Sequence, residues 1–315
     1  MYPVISGARG TSHAKIILMG EHAVVYGQPA IALPLLTVQT QVTVTTLPCQ
    51  QFLLESDYYS GAVADLPTQM QGFKDLIMHL ITAHPNSPGF KLTLTSQLPA
   101  ERGMGSSAAV AVALVKALTN FYQDQLSHDE LLDLANIAEK ATHKNPSGLD
   151  AATAASNQPI WLIRGQKPRP IPIKMNAYLV ICDSGIKGQT SQAIQIVKKK
   201  LIESPQAGQT TLTKLGQLAY KSREFLAKNQ IQSLGQAFDA AHHELQKLGV
   251  SLPALDNLIT IARQNGSIGS KLTGGGRGGC FINLLPDYAS AKNLAVQLKA
   301  AGVRQIWIQA LNQLN

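Results

Sequence analysis

The apolar positions of the first hundred residues follow the pattern of β-strands. Ile16-Ile-Leu is a short apolar run, and from Val38 to Thr45 apolar and polar residues alternate loosely, with many β-branched side chains. Segment 90–96, Phe-Lys-Leu-Thr-Leu-Thr-Ser, repeats with a period of two. Because successive side chains of a strand point to opposite faces, this pattern predicts strands within residues 13–50 and at 90–96.

Two helices are predicted next. Residues 108–118 are apolar except for Lys116, and a run of this length favours a buried helix over a strand. Ser127 and Glu130 then have the spacing of a capping box, which predicts a helix that ends before Pro146. Its apolar face, at helical period, consists of Leu131, Leu134, Ala135, Ala138 and Thr142.

The second half of the chain alternates between the two patterns. A proline-dense segment, 166–172, precedes the apolar strand pattern 177–182, and we place a domain boundary near residue 172, which gives domains 1–172 and 173–315. This mixture predicts an α+β or α/β enzyme. Helical patterns cover 190–203, 209–227, 231–247 and 253–265, and strand patterns lie near 267–273, 279–285 and 303–309.

Composition narrows the class of protein. Of the 315 residues, 45% are hydrophobic and 15% charged, which excludes a disordered chain. The formal net charge of +8 favours polyanionic ligands such as nucleotides or phosphate esters. No apolar run approaches the roughly 18 residues of a membrane span, and the N-terminus lacks a secretory pattern, so a cytoplasmic protein is expected. The widely spaced Cys49, Cys182 and Cys280 are expected to be reduced thiols.

A first candidate ligand site is the segment 103–108, Gly-Met-Gly-Ser-Ser-Ala, between a predicted strand and a predicted helix. Glycines permit sharp turns, and the free N–H groups at the start of a helix bind anions. Ser106 and Ser107 either bind a phosphate or a metal there, or only cap the helix. The segment is not a Walker A motif, which the chain lacks.

A second glycine-rich segment, 274–279, contains G-x-G-x-x-G. In a dinucleotide site this pattern opens a helix, but here a strand pattern follows. These residues alone therefore favour a glycine-rich hairpin or bulge.

Four titratable residues stand in apolar or small-residue surroundings. Glu21 and His22 lie between apolar runs, where charged side chains are unfavourable unless they are paired or functional. Either a buried structural Glu-His pair or a functional site is therefore expected. Glu139 lies beside the apolar face of the capped helix, where a half-buried carboxylate reaching solvent at its edge is favoured. Asp150 follows a turn and precedes alanines, and helix capping is favoured over catalysis on position alone.

Together, three segments resemble the motifs of the GHMP kinase family, named for galacto-, homoserine, mevalonate and phosphomevalonate kinases. They are 15–29, 98–109 and 271–280, in the family's order and spanning nearly the whole chain. The sequences of 20–27 and 143–150 are most similar to those of the mevalonate kinases in this family.

The chain departs from the family pattern at two places. Ser12-His-Ala precedes Lys15, where the family often has Ala-Pro-Gly, and Met104 stands where leucine is usual. Leucine and methionine have similar volumes, so this exchange is expected to be tolerated. Neither change removes a group that does chemistry.

The resemblance implies a catalytic pair and a metal site. Asp150 would accept or orient the proton of the substrate hydroxyl, and Lys15 would sit beside it. Ser107 and Glu139 would hold Mg²⁺, a hard cation suited to oxygen ligands. The implied ATP phosphate-binding loop consists of Gly103, Met104, Gly105, Ser106, Ser107 and Ala108.

The resemblance also implies substrate-binding residues. Glu21, His22 and Thr190 would line a mevalonate pocket, with Thr190 the least sharply matched. The third motif would pack against the phosphate loop through Gly274, Gly275, Gly276, Gly278 and Gly279.

The implied fold is α+β with two domains, an N-terminal domain similar to domain 2 of ribosomal protein S5 and a C-terminal ferredoxin-like domain. The implied activity is ATP-dependent phosphorylation of the primary hydroxyl of mevalonate to 5-phosphomevalonate. ATP, Mg²⁺ and mevalonate are the expected ligands, with a homodimer suggested and no nucleic-acid or membrane partner.

Three alternatives stay open at this point. Another GHMP kinase of small alcohols, such as a phosphomevalonate kinase, would use the same Asp150 and Lys15. A nucleic-acid-binding module agrees with the basic charge, but 5% aromatic residues provide few stacking platforms, and 198–200 is the only run of lysines. An inactive ATP sensor is disfavoured by the intact Lys15, Glu139 and Asp150.

Overall fold

The computed structural model describes residues 7–98, 103–142 and 148–314. Its strands are β1 Ala8–Met19, β2 Ala30–Thr46, β3 Phe52–Ser56, β4 Tyr59–Ala62, β5 Phe90–Ser96, β6 Ile160–Leu162, β7 Arg169–Pro170, β8 Tyr178–Asp183, β9 Gly269–Leu272, β10 Cys280–Leu285 and β11 Gln305–Ala310. Its helices are α1 Gln71–Ala83, α2 Ser106–Tyr122, α3 His128–Thr142, α4 Leu149–Ala155, α5 Thr190–Glu203, α6 Pro205–Ala227, α7 Ile231–Lys247, α8 Pro253–Gln264 and α9 Tyr288–Ala300.

The mixed α+β class is confirmed, and most predicted elements are present. The predicted helix 209–227 begins four residues earlier, at Pro205, because proline fits the first turn of a helix. The capping box is formed as predicted: the Ser127 N–H donates to Glu130 Oε2 at 2.8 Å, and the Glu130 N–H donates to Ser127 Oγ at 3.3 Å. Helix α3 is described as far as Thr142, and residues 143–147 lie outside the described part of the chain.

The chain divides into two compact units, each of which is discontinuous in sequence. The first comprises the described residues within Met1–Ala14, Val38–Pro99 and Gly105–Ala155, and the second those within Lys15–Thr37, Ala100–Met104 and Ser156–Asn315. Strands β1 and β2 therefore each contribute residues to both units. The predicted boundary near residue 172 stays a prediction.

In the first unit, helices α1 to α4 accompany a sheet built from β3, β4, β5 and the end of β2. Val42 of β2 pairs antiparallel with Leu94 of β5, and β3 runs parallel to β5. Helix α2 forms the centre of the core, because its residues from Ala108 to Val115 are all buried. Strand β1 approaches α2 closely at Gly10, where a Cβ would overlap the helix backbone at Ala113 and Ala117.

In the second unit, a four-stranded antiparallel sheet has the order β11-β8-β10-β9. Ile282 of β10 lies opposite Ile181 of β8, and Phe281 opposite Leu272 of β9. All residues of β9 and β10 are buried, so a charged side chain on either strand needs a partner within the protein. None of the described helices has the length and apolar character needed to cross a membrane.

Candidate functional site

The glycine-rich segment of the second unit is the loop of a β-hairpin, as its sequence predicted. Residues 273–279 connect the antiparallel strands β9 and β10. Arg277, with φ of 56°, and four of the glycines have left-handed backbone conformations, which explains why glycine dominates the loop. These glycines are Gly274, Gly276, Gly278 and Gly279.

Backbone hydrogen bonds fix the shape of this loop. The Arg277 N–H donates to Val250 O at 2.7 Å, and the Gly279 N–H donates to Ile186 O at 2.8 Å. Ser184 Oγ donates to Gly279 O at 2.7 Å. Contacts within the protein therefore hold the loop in one conformation, which favours precise positioning.

The start of the predicted phosphate-binding loop lies against the glycine hairpin. A Cβ on Gly274 would stand 3.2 Å from Gly103 O, so the two backbones are in close approach. The Lys15 N–H donates to Met104 O at 2.9 Å, which brings the predicted catalytic lysine, 4% exposed, to the same loop. Lys15, Gly103, Met104 and Gly274 are thus grouped within the second unit.

Thr273 ties β1 to the hairpin. Its Oγ accepts from the Ile17 N–H at 3.1 Å and donates to Ile17 O at 2.8 Å. One hydroxyl therefore satisfies both backbone groups of a residue that lies two positions from Lys15.

We expect Thr273→Val to lower the free energy of unfolding by about 1–3 kcal/mol, because both Ile17 backbone groups lose their partner. Urea unfolding of the wild type and the variant measures this loss. Thr82→Val is the matched control, since that hydroxyl donates to Met78 O on an exposed helical turn, and it should change stability by no more than about 0.5 kcal/mol. Equal losses in both variants would contradict the role of Thr273.

Glu21 and Lys271 form an ion pair with both side chains 0% exposed. Burial raises the pKa of Glu21, while the positive charge of Lys271 opposes that rise. Burial likewise lowers the pKa of Lys271, with Glu21 opposing. Lys271 Nζ contacts Glu21 Oε1, and the other oxygen, Oε2, has no hydrogen-bond partner among the described residues.

His22 and Thr190 meet the hairpin at Gly275. His22 Nε2 lies 2.9 Å from Gly275 O, so Nε2 carries the hydrogen and donates to the carbonyl. Burial lowers the pKa of His22, which keeps the imidazole neutral. A Cβ on Gly275 would overlap the Thr190 side chain. The predicted substrate-binding residues His22 and Thr190 thus both lie at Gly275, and Glu21 directly precedes His22 in the chain.

A further buried group was not predicted from the sequence. His242, 3% exposed, has Nε2 at 3.0 Å from Asp256 Oδ1, and its Nδ1 accepts from the Leu272 N–H at 3.5 Å. Burial lowers the pKa of His242 to about 4, although Asp256 opposes the shift. The histidine supports β9 directly beside Lys271, and it does so as a neutral ring.

This lowered pKa predicts that stability falls with acidification. The unfolded chain binds a proton at His242 near pH 6.5, and the folded chain does so only near pH 4. The stability that neutral His242 contributes is therefore fully present above pH 6.5 and is lost as the pH falls toward 4. Between pH 7 and pH 5 the loss is about 2 kcal/mol. We expect His242→Asn, which keeps an acceptor for Leu272, to remove that part of the pH dependence in urea unfolding. If His242→Asn and the wild type lose the same free energy of unfolding between pH 7 and pH 5, this role of His242 is contradicted.

In the first unit, helix α2 begins with the remaining residues of the predicted phosphate loop. Gly105 precedes the helix with φ of 71°, and no side chain caps the helix start. The interpretation of Ser106 and Ser107 as mere caps is therefore wrong, since the helix begins at Ser106 itself and the cap position is a glycine. Ser106 is half-buried and Ser107 exposed, beside N–H groups suited to an anion.

Helices α3 and α4 carry the two predicted carboxylates of the first unit. Glu139 is 6% exposed, so the expectation of a half-buried glutamate reaching solvent is wrong. Asp150 is half-buried in the first turn of α4, one residue after the helix start at Leu149, so it is not the capping residue that its position favoured. Helices α2, α3 and α4 pack on one another, which places Ser107, Glu139 and Asp150 on three adjoining helices of one unit.

Sequence reasoning missed the buried partner of Glu21. Lys271 is the only charged residue in β9, a strand whose other members are apolar or small. A cation in an apolar strand is the signal that would have indicated a buried anion nearby. Thr273 had no such signal, because threonine is common in and beside β-strands of every kind.

Two family models match this chain. The GHMP kinases N-terminal domain covers residues 72–158, and the GHMP kinases C-terminal domain covers residues 222–304.

Relatives and solved structures agree with these matches. The mevalonate kinase of Pyrococcus horikoshii is 31% identical, with 92% of this chain and 91% of that protein aligned. The crystal structure of mevalonate kinase from methicillin-resistant Staphylococcus aureus has a TM-score of 0.77 at 29% identity, covering 98% of this chain and 100% of that chain. That of L. major mevalonate kinase in complex with R-mevalonate has a TM-score of 0.84 at 25% identity, covering 98% of both chains. With its motifs and fold, the chain belongs to the GHMP kinase family, among the mevalonate kinases, whose enzymes use ATP.

Proposed function

We propose that this kinase transfers the γ-phosphoryl group of ATP to the primary hydroxyl of mevalonate, giving 5-phosphomevalonate and ADP. The observation that carries the proposal is the position of His22 and Thr190 at Gly275, with Glu21 next to His22 in the chain. These residues supply a carboxylate, a neutral imidazole and a hydroxyl, which are suited to the hydroxyl and carboxylate groups of a small hydroxy acid. The mevalonate kinases among its relatives support this substrate.

The reaction needs positioning and charge neutralisation more than covalent chemistry, because the transferred phosphoryl group passes through a loose transition state. Backbone N–H groups at the start of α2 would hold ATP phosphates. The charge of Lys15 would favour the developing alkoxide, and Asp150 would accept the proton of the attacking hydroxyl. The hydroxyl oxygen then bonds to the γ-phosphorus as the bond to ADP breaks.

Magnesium fits the oxygen donors that this chain offers. Glu139 provides a buried carboxylate and Ser107 a hydroxyl at the start of α2. Hard oxygen donors together with substrate phosphates are the ligands that Mg²⁺ prefers. When bound, Mg²⁺ neutralises phosphate charge, and Ser107 and Glu139 would be the residues that hold it. The family resemblance also favours a homodimer, which sedimentation equilibrium would detect.

The test is ADP release from the purified protein with Mg-ATP, with and without mevalonate. Release that depends on mevalonate is the expected result. Binding of ATP without mevalonate-dependent release would contradict the substrate, and a panel of small alcohols and phosphomevalonate would then identify which alcohol this kinase uses. Omission of Mg²⁺ should abolish the release.

A further inference from the structure

We propose that Lys271 is a positioning residue for substrate binding: it holds Glu21 by Oε1, so that Oε2 accepts a hydrogen bond from a hydroxyl of the substrate. The proposal rests on the function proposed above and deepens it. Lys271 does not itself touch the substrate in this proposal; it acts through Glu21.

Stability alone does not explain this ion pair. Both side chains are completely buried, and removing two charges from water opposes their mutual attraction. Two apolar residues of similar volume commonly replace such a pair without loss of stability. A lysine in a buried strand therefore indicates a requirement for charge at this place.

The ammonium group of Lys271 is held on more than one side. Besides Glu21, it donates to Leu272 O at 2.8 Å and stands 6.0 Å from the centre of the Phe238 ring. His242 adds no opposing charge, because its ring is neutral near pH 7. The position of Nζ, and with it the orientation of the Glu21 carboxylate, is thus fixed by the sheet and by α7.

The second oxygen of Glu21 indicates what this carboxylate binds. Oε2 is buried and has no hydrogen-bond partner within the described residues, and a buried acceptor without a donor is unfavourable. Next to Glu21 in the chain, His22 binds Gly275 at the place where Thr190 also packs. A substrate hydroxyl would supply the missing donor.

The charge of Lys271 also bears on the protonation of Glu21. Burial alone would favour the neutral acid form of Glu21, whereas the ammonium group of Lys271 opposes that rise in pKa. Lys271 therefore favours Glu21 as an ionised acceptor for a substrate hydroxyl.

The experiment is a double-mutant cycle of the wild type, Glu21→Gln, Lys271→Met and the variant with both changes. We expect Lys271→Met to raise KM for mevalonate about tenfold, because the hydrogen bond from the substrate hydroxyl to Oε2 is lost or misdirected. KM for ATP should not change, and kcat should change much less than KM. In the Glu21→Gln background, Lys271→Met should have no further effect on KM, since the residue through which it acts is already altered.

Folding is monitored by urea unfolding of each variant. If Lys271→Met does not fold, the variant with both changes is used instead, because it leaves no unpaired charge. Its KM for mevalonate is compared with that of Glu21→Gln. Equal KM values support the proposal, and a higher KM in the variant with both changes overturns it. Lys271→Arg, which keeps the charge, should restore much of the affinity for mevalonate. Lys228→Met is the control, because Lys228 forms an exposed pair with Glu224, and its KM should equal that of the wild type.

Additive effects of the two changes on KM would overturn the positioning role while leaving the proposed function intact. A lower stability with unchanged KM would overturn it as well. A wild-type enzyme without mevalonate-dependent ADP release would instead overturn the proposed function, and with it the substrate named for Glu21.

Discussion

Replacing Asp150 by asparagine should lower kcat by about 10²- to 10⁴-fold, the usual contribution of a general base, while ATP binding is retained. The change keeps the shape of the side chain and removes its charge, so the substrate hydroxyl loses its proton acceptor. Asp150 lies in the first turn of α4, and the loss of its favourable interaction with the helix dipole should lower stability by only about 0.3–1 kcal/mol.

Single-turnover kinetics and calorimetric titration with ATP separate these effects. Asp133→Asn is the matched control in the same unit, because Asp133 is exposed on α3, and its kcat should equal that of the wild type. Near-normal turnover in Asp150→Asn would contradict the catalytic role. A loss of ATP binding equal to the loss of turnover would instead indicate that Asp150 holds the nucleotide site together.

The second large effect is expected at Gly276 in the hairpin loop. Its φ is +75°, and a Cβ would overlap Val250 O, the same oxygen that accepts the Arg277 N–H. Gly276→Ala therefore combines backbone strain with overlap against the main chain, and we expect a loss of about 3 kcal/mol in the free energy of unfolding. Because the hairpin carries Gly275, KM for mevalonate should rise as well.

Gly266→Ala is the control that separates backbone strain from steric overlap. Gly266 has φ of +93°, but no atom lies within 4 Å of the place that a Cβ would take, so this variant carries the strain without the overlap. It should lose only about 1–2 kcal/mol and keep its kinetic constants. Urea unfolding and steady-state kinetics of both variants make the comparison. A loss in Gly276→Ala no greater than in Gly266→Ala would contradict the importance of the contact with Val250.

Local signals in the sequence were sufficient for much of the fold. The capping box of Ser127 and Glu130, the apolar run of α2 and the strand on each side of the glycine hairpin are all patterns within a few residues, and local hydrogen bonding and side-chain periodicity determine them. The three motifs were likewise recognisable from contiguous residues, so the family could be predicted before any contact was known.

Only the tertiary structure decided which charged side chains are buried and which of them form pairs. Position on a helix suggested that Glu139 reaches solvent, but in the folded protein this side chain is only 6% exposed. Residues 21 and 271 lie 250 positions apart, and no local pattern pairs them. The sequence determined which chemical groups this kinase possesses. Only the packing of β9 and the hairpin beside β1 decided that Lys271 pairs with Glu21 and that Glu21 Oε2 has no hydrogen-bond partner in the described part of the chain. Such contacts depend on long-range chain folding.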